Sequence, residues 1–380
     1  MTDAAKLTAD LIRCPSVTSQ EGGALTLLAG WLTAAGFECH RVDRNGTPNL
    51  FARWGVKGAV RTFGFNGHTD VVPPGNPASW TYPPFSGHVD EEGMIWGRGA
   101  TDMKSGVAAF AAAAIDFVTD TPPDGAIILT VTGDEEGPAH DGTVALLDWM
   151  QAEAERMSVC LVGEPSNPET FGEMMKIGRR GSVTYRVTVR GVQGHVAYPH
   201  RIRNPLHALC RFLDGLASAP LDQGSRHFDP SSLQVTTVDC GNMATNVVPE
   251  TATAVFNIRF NDLHTPASLD AALQARAAEI SVETGAEIML VPSVSGESFL
   301  TEPGPFVDMV RSIVEAETGL VPELSTSGGT SDARFIKDHC PVLEFGLVGR
   351  FMHEVNERVP SGQVRALQRV YHRILEEYFA

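Results

Sequence analysis

The chain has 380 residues, which exceeds one typical domain, and 43% of them are apolar, so we expect two domains that each bury a core. Its net charge of −17 disfavours nucleic acid and anionic membranes as partners, because both are negatively charged. The six cysteines form no CxxC pair, and the chain shows neither a signal-peptide pattern nor an apolar run long enough to cross a bilayer. We therefore expect a cytoplasmic protein.

The first half of the chain alternates between two sequence patterns. Short runs of apolar residues predict strands at 37–42, 50–54, 62–66, 126–132 and 158–162. Apolar residues at helical spacing predict helices at 25–35, 104–118 and 144–155. This alternation favours an α/β fold with a mostly parallel central sheet and helices on both of its faces.

The pattern changes after residue 180. Polar and apolar residues then alternate, and strands and helices are predicted at 183–190, 204–216, 233–238, 251–260, 267–283 and 287–291. The α/β pattern resumes at residue 296 and ends in a helix at 362–379. We therefore interpret 181–291 as a smaller α+β domain, inserted into a discontinuous main domain of residues 1–180 and 292–380.

Acidic residues and histidines follow several of the predicted strands. They are His68, Asp102, Glu135, Glu136 and Glu164, together with His353 in the last α/β segment. Ligands of an open α/β sheet gather beyond the carboxyl ends of its strands, so we expect these side chains to meet at one edge. Carboxylate and imidazole groups without a thiolate are typical of a hydrolytic zinc or cobalt site. The sequence therefore favours a two-metal hydrolase.

Each of these residues also has an ordinary structural interpretation. A lone histidine after a strand is more often structural, Asp102 could cap the helix predicted from residue 104, and Glu136 and Glu164 could be solvated loop acids. Their joint placement at strand ends favours a metal site over separate coincidences. Asp70 follows His68 on the same strand face, where it could orient the imidazole.

A count of charges separates Glu135 from Glu136. The carboxylates of Asp102, Glu136 and Glu164, together with one hydroxide, balance the four positive charges of two zinc ions. A further carboxylate ligand would over-neutralise the pair, which leaves Glu135 free to act as general base. Asp102 is best placed to bridge two ions about 3.5–4 Å apart.

Five motifs resemble those of the co-catalytic zinc hydrolases, the family that includes aminoacylases, acetylornithine deacetylase and glutamate carboxypeptidases. They are HTDVVPPG, GRGATDMKSG, DEEG, GEPS and MHEVNE, and they occur in the family's order over nearly the whole chain. The resemblance implies that His68 and Glu164 hold one zinc ion and that Glu136 and His353 hold the other. It also implies that Asp102 bridges the two ions.

The resemblance assigns further roles around the metal ions. Asp70 supports His68, Glu135 is the general base, and the peptide bond after Asp102 is cis. The inserted domain forms a homodimer, and His195 in the segment GHVAYPH reaches the partner subunit's active site to stabilise the tetrahedral intermediate. From the residues alone, His195 would be interpreted as an exposed loop histidine.

Several segments narrow the resemblance to the desuccinylase branch of that family. They are KIGRRGSVTYRVTVRGVQGHVAYPH, NVVPE with NIRF, SGESFLT and SGGTSDARFI. The implied reaction converts N-succinyl-LL-2,6-diaminopimelate to succinate and LL-2,6-diaminopimelate, in lysine and diaminopimelate synthesis. The implied substrate contacts are Arg179, Ser182, Tyr198, Asn246, Arg259, Gly329 and Thr330.

The sequence leaves two other functions to consider. Another deacylase of the same fold, such as acetylornithine deacetylase, would use the same metal site. A metal-stabilised scaffold without activity is disfavoured, because a scaffold has no use for a base at Glu135. Many relatives carry an asparagine a few residues before the final histidine, where this chain has Gly349 and Arg350. The absence of this asparagine affects the expected contacts with the substrate, whereas the expected metal ligands are the same.

Overall fold

The computed structural model describes residues 1–380, which form two compact units. The first unit comprises Met1–Ile177, Thr301–Ser325 and Ser331–Ala380, and the second comprises Gly178–Leu300 and Thr326–Thr330. The second unit is longer than the predicted segment 181–291. Its last long strand continues to Gly296, and a short pairing between Gly178–Arg179 and Phe299–Leu300 closes it.

The structure contains nine α-helices. They are α1 (Ala4–Ile12), α2 (Ala24–Ala34), α3 (Lys104–Asp120), α4 (Thr143–Ala152), α5 (Pro205–Ala217), α6 (Pro266–Thr284), α7 (Pro305–Thr318), α8 (Ala333–Ile336) and α9 (Ser361–Phe379). The ends of α6 follow from its sequence, since the Thr265 hydroxyl caps the first turn, Pro266 needs no N–H partner there, and Gly285 ends the helix at φ 69°. None of these helices is long and apolar enough to cross a membrane.

Nineteen strands complete the fold. They are β1 (Glu38–Arg41), β2 (Asn49–Gly55), β3 (Thr62–His68), β4 (His88–Val89), β5 (Met94–Trp96), β6 (Ala126–Thr132), β7 (Val159–Val162), β8 (Met174–Lys176), β9 (Gly178–Arg179), β10 (Gly181–Arg190), β11 (Gly194–His195), β12 (Ser232–Asp239), β13 (Val247–Val248), β14 (Thr251–Phe260), β15 (Glu287–Gly296), β16 (Phe299–Leu300), β17 (Glu323–Ser325), β18 (Val342–Glu344) and β19 (Arg358–Pro360). All of the predicted helices and strands are present, with ends that shift by a few residues.

The first unit is built on an eight-stranded sheet with the order β1-β2-β6-β3-β7-β18-β8-β17. Four of its seven pairings are parallel, including the consecutive pairs β6–β3, β3–β7 and β7–β18. Antiparallel pairs join β1, β2 and β6 at one edge, and β18 and β8 near the other. The α/β class with a mostly parallel central sheet is confirmed.

Helices cover both faces of this sheet. On one face, Phe63 and Phe65 of β3 stack on Phe110 of α3, with ring centroids 6.0 and 4.2 Å apart. Alternate residues of a strand point to opposite faces, so Asn66 points away from α3, and its amide donates to the hydroxyl of Thr143 in α4. Burying each of the phenylalanines stabilises the fold by about 1.5–3 kcal/mol. This packing on both faces holds β3 in place, in the middle of the sheet between β6 and β7.

The second unit contains a four-stranded antiparallel sheet with the order β12-β14-β10-β15. Helices α5 and α6 pack on one face of it, over a core that includes Tyr185, Phe212 and Phe256. Residues of β14 alternate strictly between buried and partly exposed, which matches the period-2 pattern of the sequence. An antiparallel sheet with helices on one face is the α+β arrangement that the sequence predicts for this segment.

Candidate metal centre

The candidate ligands lie where three neighbouring parallel strands end. His68 is the last residue of β3, Glu135 and Glu136 follow β6, and Glu164 follows β7. Because β3 lies between β6 and β7 in the sheet, their carboxyl ends are adjacent. This adjacency explains why residues far apart in the sequence come together.

Asp102 lies between two imidazoles. Its Oδ1 is 3.1 Å from Nε2 of His68, and its Oδ2 is 3.3 Å from Nε2 of His353. The Nε2 of His68 is also 3.5 Å from Glu164 Oε1, and the Nε2 of His353 is 2.9 Å from Glu136 Oε1. The five predicted ligands therefore form one cluster with two histidine-centred halves that share Asp102.

Asp70 connects both halves of the cluster. Its backbone carbonyl lies 3.0 Å from Nδ1 of His68, and its carboxylate lies 3.5 Å from the same atom. A carbonyl oxygen only accepts, so Nδ1 carries a proton, and Nε2 is the nitrogen that faces the carboxylates of the cluster. The Asp70 carboxylate also accepts the N–H groups of Glu135 and Glu136 and the hydroxyl of Thr18. Sequence reasoning missed Thr18, which has no motif of its own.

The geometry places both neighbouring glutamates in the cluster. One set of side chains whose ligand atoms lie within 4.8 Å of one another contains His68, Asp102 and Glu136. A second such set contains His68, Glu135 and Glu164. Distance alone therefore does not separate the two glutamates. The contact of Glu136 with His353 is consistent with the charge count, which predicts that Glu136 is the ligand and Glu135 the base.

The groups in this cluster shift one another's pKa. Burial raises the pKa of Glu164 to about 7, and the negative charge of Asp102 acts in the same direction. Burial and the charge of Glu164 likewise raise the pKa of Glu135 well above its ordinary value. Hydrogen bonds to the carboxylates of Asp102 and Glu136 raise the pKa of His353 to about 10. Without other cations, the negative charge of this cluster therefore favours the protonated forms of Glu135, Glu164 and His353.

This set of donors fits a pair of divalent metal ions. The imidazole nitrogens of His68 and His353 lie beside several carboxylate oxygens and no thiolate, which suits zinc and related ions. The carboxylates of Asp102, Glu136 and Glu164 bring three negative charges to the two histidines, which suits a site for cations.

Removal of the metal ions should make stability depend on pH. The pKa of Glu164 is raised from 4.5 to about 7 and that of His353 from 6.5 to about 10. Both groups bind protons more tightly when folded, so their contribution is full at low pH and is lost as the pH rises through the folded values. We expect the melting temperature of chelator-treated protein to fall relative to zinc-loaded protein between about pH 5 and pH 9. If the difference in melting temperature between the zinc-loaded and the chelator-treated protein narrows over this range, the assignment of Glu164 and His353 as metal ligands is contradicted.

The segment before α3 contains a cis peptide bond between Asp102 and Met103. The resemblance implied this bond, and the structure confirms it. Two further buried residues next to this segment, Arg98 and Glu357, escaped the sequence analysis, although Glu357 ends the motif MHEVNE. Their side chains make contacts that are described below.

The predicted substrate contacts all lie in the second unit, in two groups. In one group, the Arg179 guanidinium donates to the carbonyl of Gly329 at 3.2 Å, next to Thr330. Ser182 of β10 is paired with Arg259 of β14 in the same sheet. The structure therefore places Arg179 against the glycine-rich turn of SGGTSDARFI, and Ser182 beside Arg259 in the sheet.

The second group surrounds His195. Its ring lies 5.7 Å from that of Tyr198, and β11 pairs with β13 directly after Asn246. The N–H of Ala197 donates to Nδ1 of His195 at 3.1 Å. Because Nδ1 accepts this bond, a neutral imidazole carries its proton on Nε2. His195 is exposed and presents a hydrogen-bond donor to solvent.

The α/β fold and the cluster at the ends of its strands define a metal-dependent hydrolase. Residues 64–377 match the model of peptidase family M20/M25/M40, and the chain belongs to this family. It is 72% identical over 379 residues to the succinyl-diaminopimelate desuccinylase of Paracoccus denitrificans, with 100% of this chain and 99% of the relative covered.

Two solved structures show the same fold at low sequence identity. The aminopeptidase PepT from Bacillus cereus is 20% identical with a TM-score of 0.80, and 99% of this chain and 98% of that chain are covered. The YXEP protein of Bacillus subtilis, described as a dinuclear metal-binding peptidase of the M20 family, is 15% identical with a TM-score of 0.75. That match covers 99% of this chain and 97% of the other.

Proposed function

We propose that this chain hydrolyses the amide bond of N-succinyl-LL-2,6-diaminopimelate to succinate and LL-2,6-diaminopimelate, in lysine and diaminopimelate synthesis. The observation that carries the chemistry is the carboxylate of Asp102, whose two oxygens face the imidazoles of His68 and His353. A pair of metal ions requires a bridging ligand placed in this way. The substrate is supported by the 72% identity to the Paracoccus desuccinylase over the whole chain.

Two zinc ions per chain are the proposed cofactors, and cobalt is the expected substitute. His68 and Glu164 would hold one ion, Glu136 and His353 would hold the other, and Asp102 would bridge them. The contacts of His68 with Glu164 and of His353 with Glu136 support this division. Asp70 would keep the proton of His68 on Nδ1, so that Nε2 remains a ligand.

Glu135 is proposed to move the proton during hydrolysis. Metal ions held by the ligands would supply Lewis acidity at the amide carbonyl and would lower the pKa of water. As the water oxygen adds to the carbonyl carbon, an Oε atom of Glu135 takes its proton. When the C–N bond breaks, Glu135 returns this proton to the leaving amine nitrogen. Glu135 lies within reach of this chemistry, since its carboxylate groups with His68 and Glu164.

His195 is proposed to stabilise the oxyanion in a homodimer. The N–H of Ala197 occupies Nδ1 of His195, so Nε2–H is free to donate to the negatively charged oxygen. By the family resemblance, this donor serves the active site of the partner subunit, and the second unit forms the dimer. A cytoplasmic location, and the lack of nucleic-acid or membrane partners, stay predictions.

The substrate is proposed to contact the two groups of residues in the second unit. Arg179 and Arg259 suit a substrate with several carboxylates, because guanidinium groups bind carboxylates with two parallel hydrogen bonds. Ser182, Tyr198, Asn246, Gly329 and Thr330 complete the proposed contacts. At Gly349 the chain offers no side chain for the contact that asparagine makes in many relatives.

The main alternative is acetylornithine deacetylase activity with the same metal site. An assay of zinc-loaded protein on N-succinyl-LL-2,6-diaminopimelate and on acetylornithine, side by side, separates the two. We expect at least about a 100-fold higher kcat/KM for the succinylated substrate, since a site built for a second carboxylate leaves its polar groups unpaired with an acetyl group. A preference for acetylornithine would refute the substrate and leave the metal assignment intact.

A further inference from the structure

Glu357 is a buried residue that binds the backbone next to the candidate ligand Asp102. Its side chain is fully buried, and each carboxylate oxygen accepts two hydrogen bonds. Oε1 accepts the backbone N–H groups of Thr101 at 2.8 Å and Asp102 at 3.1 Å. Oε2 accepts the N–H of Gly99 at 3.1 Å and the guanidinium of Arg98 at 2.7 Å. One carboxylate therefore holds the backbone of the segment that presents Asp102.

Arg98 connects Glu357 to the segment that presents His353. Besides Glu357, its guanidinium donates to the backbone carbonyls of Glu354 at 3.1 Å and His353 at 3.4 Å. The side chain of Arg98 is 3% exposed and lies over the ring of Trp80. The Arg98–Glu357 pair thus joins the backbones of two candidate ligands, beside the main-chain pairing of β5 with β19.

The His353 segment needs such a link, because its backbone is in an uncommon conformation. His353 has φ 64° and Asn356 has φ 65°, in the left-handed region that residues other than glycine seldom adopt. The side chain of His353 is 46% exposed, so packing restrains only part of it. The hydrogen bonds from Arg98, and the bond from the N–H of Thr81 to the side chain of Asn356, therefore add to the few backbone bonds that this segment makes by itself.

We propose that Arg98 and Glu357 are positioning residues that set the separation of Asp102 and His353, and thereby the second metal position. Neither side chain contacts the proposed metal or substrate, so both act through the backbone that they hold. The proposal rests on the ligand assignment given under Proposed function. It adds that one buried ion pair sets the relative position of the two segments that carry these ligands.

Glu357→Gln tests the carboxylate with almost no change in shape. The amide retains one oxygen but turns the other acceptor into a donor, which then faces N–H groups. We expect folded Glu357→Gln to bind cobalt about 10–100-fold more weakly than the wild type. The visible absorption spectrum of the bound cobalt should also change, because the ligand geometry changes. Circular dichroism establishes which preparations are folded.

Arg98→Lys is the second variant, in case Glu357→Gln does not fold. A single ammonium can pair with Glu357 but cannot also reach both carbonyls of the His353 segment. We expect this variant to keep the ion held by His68 and Glu164 and to lose about 10–100-fold in affinity for the other. Glu354→Gln is the matched control, because Glu354 lies in the same segment with an exposed side chain, and it should bind like the wild type.

The outcomes separate this inference from the proposed function. If folded Glu357→Gln and Arg98→Lys melt at lower temperature but bind two cobalt ions with wild-type affinity and spectrum, the pair is merely structural and the inference is wrong. If the wild type itself binds fewer than two ions, the ligand assignment fails, and the inference fails with it. Weaker binding in the variants, with a normal Glu354→Gln control, supports the positioning role.

Discussion

Glu135→Gln is expected to lose nearly all turnover while retaining both metal ions. The substitution keeps the shape of the side chain but removes its ability to accept a proton. General-base loss typically lowers kcat by about 10²–10⁴-fold, and the effect is larger when the same group also protonates the leaving amine. Metal content measured together with kcat on N-succinyl-LL-2,6-diaminopimelate provides the test.

Glu136→Gln is the matched comparison for that experiment. Oε1 of Glu136 lies 2.9 Å from Nε2 of His353. The carboxylate of Glu135 instead groups with His68 and Glu164. We expect Glu136→Gln to reduce metal content, because an amide oxygen is a weaker ligand than a carboxylate. If Glu135→Gln loses an ion and Glu136→Gln keeps two, the roles of the neighbouring glutamates have been exchanged.

Much of the site could be predicted because its residues follow simple sequence signals. The runs at 62–66, 126–132 and 158–162 are apolar enough to be buried strands, and acids or a histidine follow each of them. Adjacent parallel strands end at one edge, so strand order alone brings His68, Glu136 and Glu164 together. The chemistry of these groups then points to metal ions.

Other parts could not be predicted, because nothing local in the sequence signals them. Glu357 accepts backbone N–H groups from residues more than 250 positions earlier, and any sequence supplies such donors. Thr18 reaches Asp70 in the same way across 52 positions. The extension of β15 to Gly296 was missed because Pro292 and two serines interrupt the apolar pattern that ends at Val291. Long-range hydrogen bonds and edge strands depend on the assembled fold.

His195→Ala is expected to lower turnover with little effect on metal content. His195 lies outside the metal cluster, and its Nε2–H is free because Nδ1 accepts the N–H of Ala197. Loss of one donor to an oxyanion typically lowers kcat by about 10²–10³-fold. His200→Ala is a suitable control, because His200 is exposed in the same segment and has no proposed role. Equal losses in both variants would indicate a general disturbance of the segment.

Mixing two inactive variants tests whether His195 serves the partner subunit. In a hybrid of one His195→Ala chain and one Glu135→Gln chain, the first chain retains its own Glu135 and receives His195 from the second. The other site carries both defects, so each hybrid dimer has one intact site. Random reassortment should then restore about a quarter of wild-type activity, because half of the dimers are hybrids with half of their sites active. If exchange of subunits is demonstrated and the mixture stays inactive, His195 acts within its own chain and the shared site is refuted.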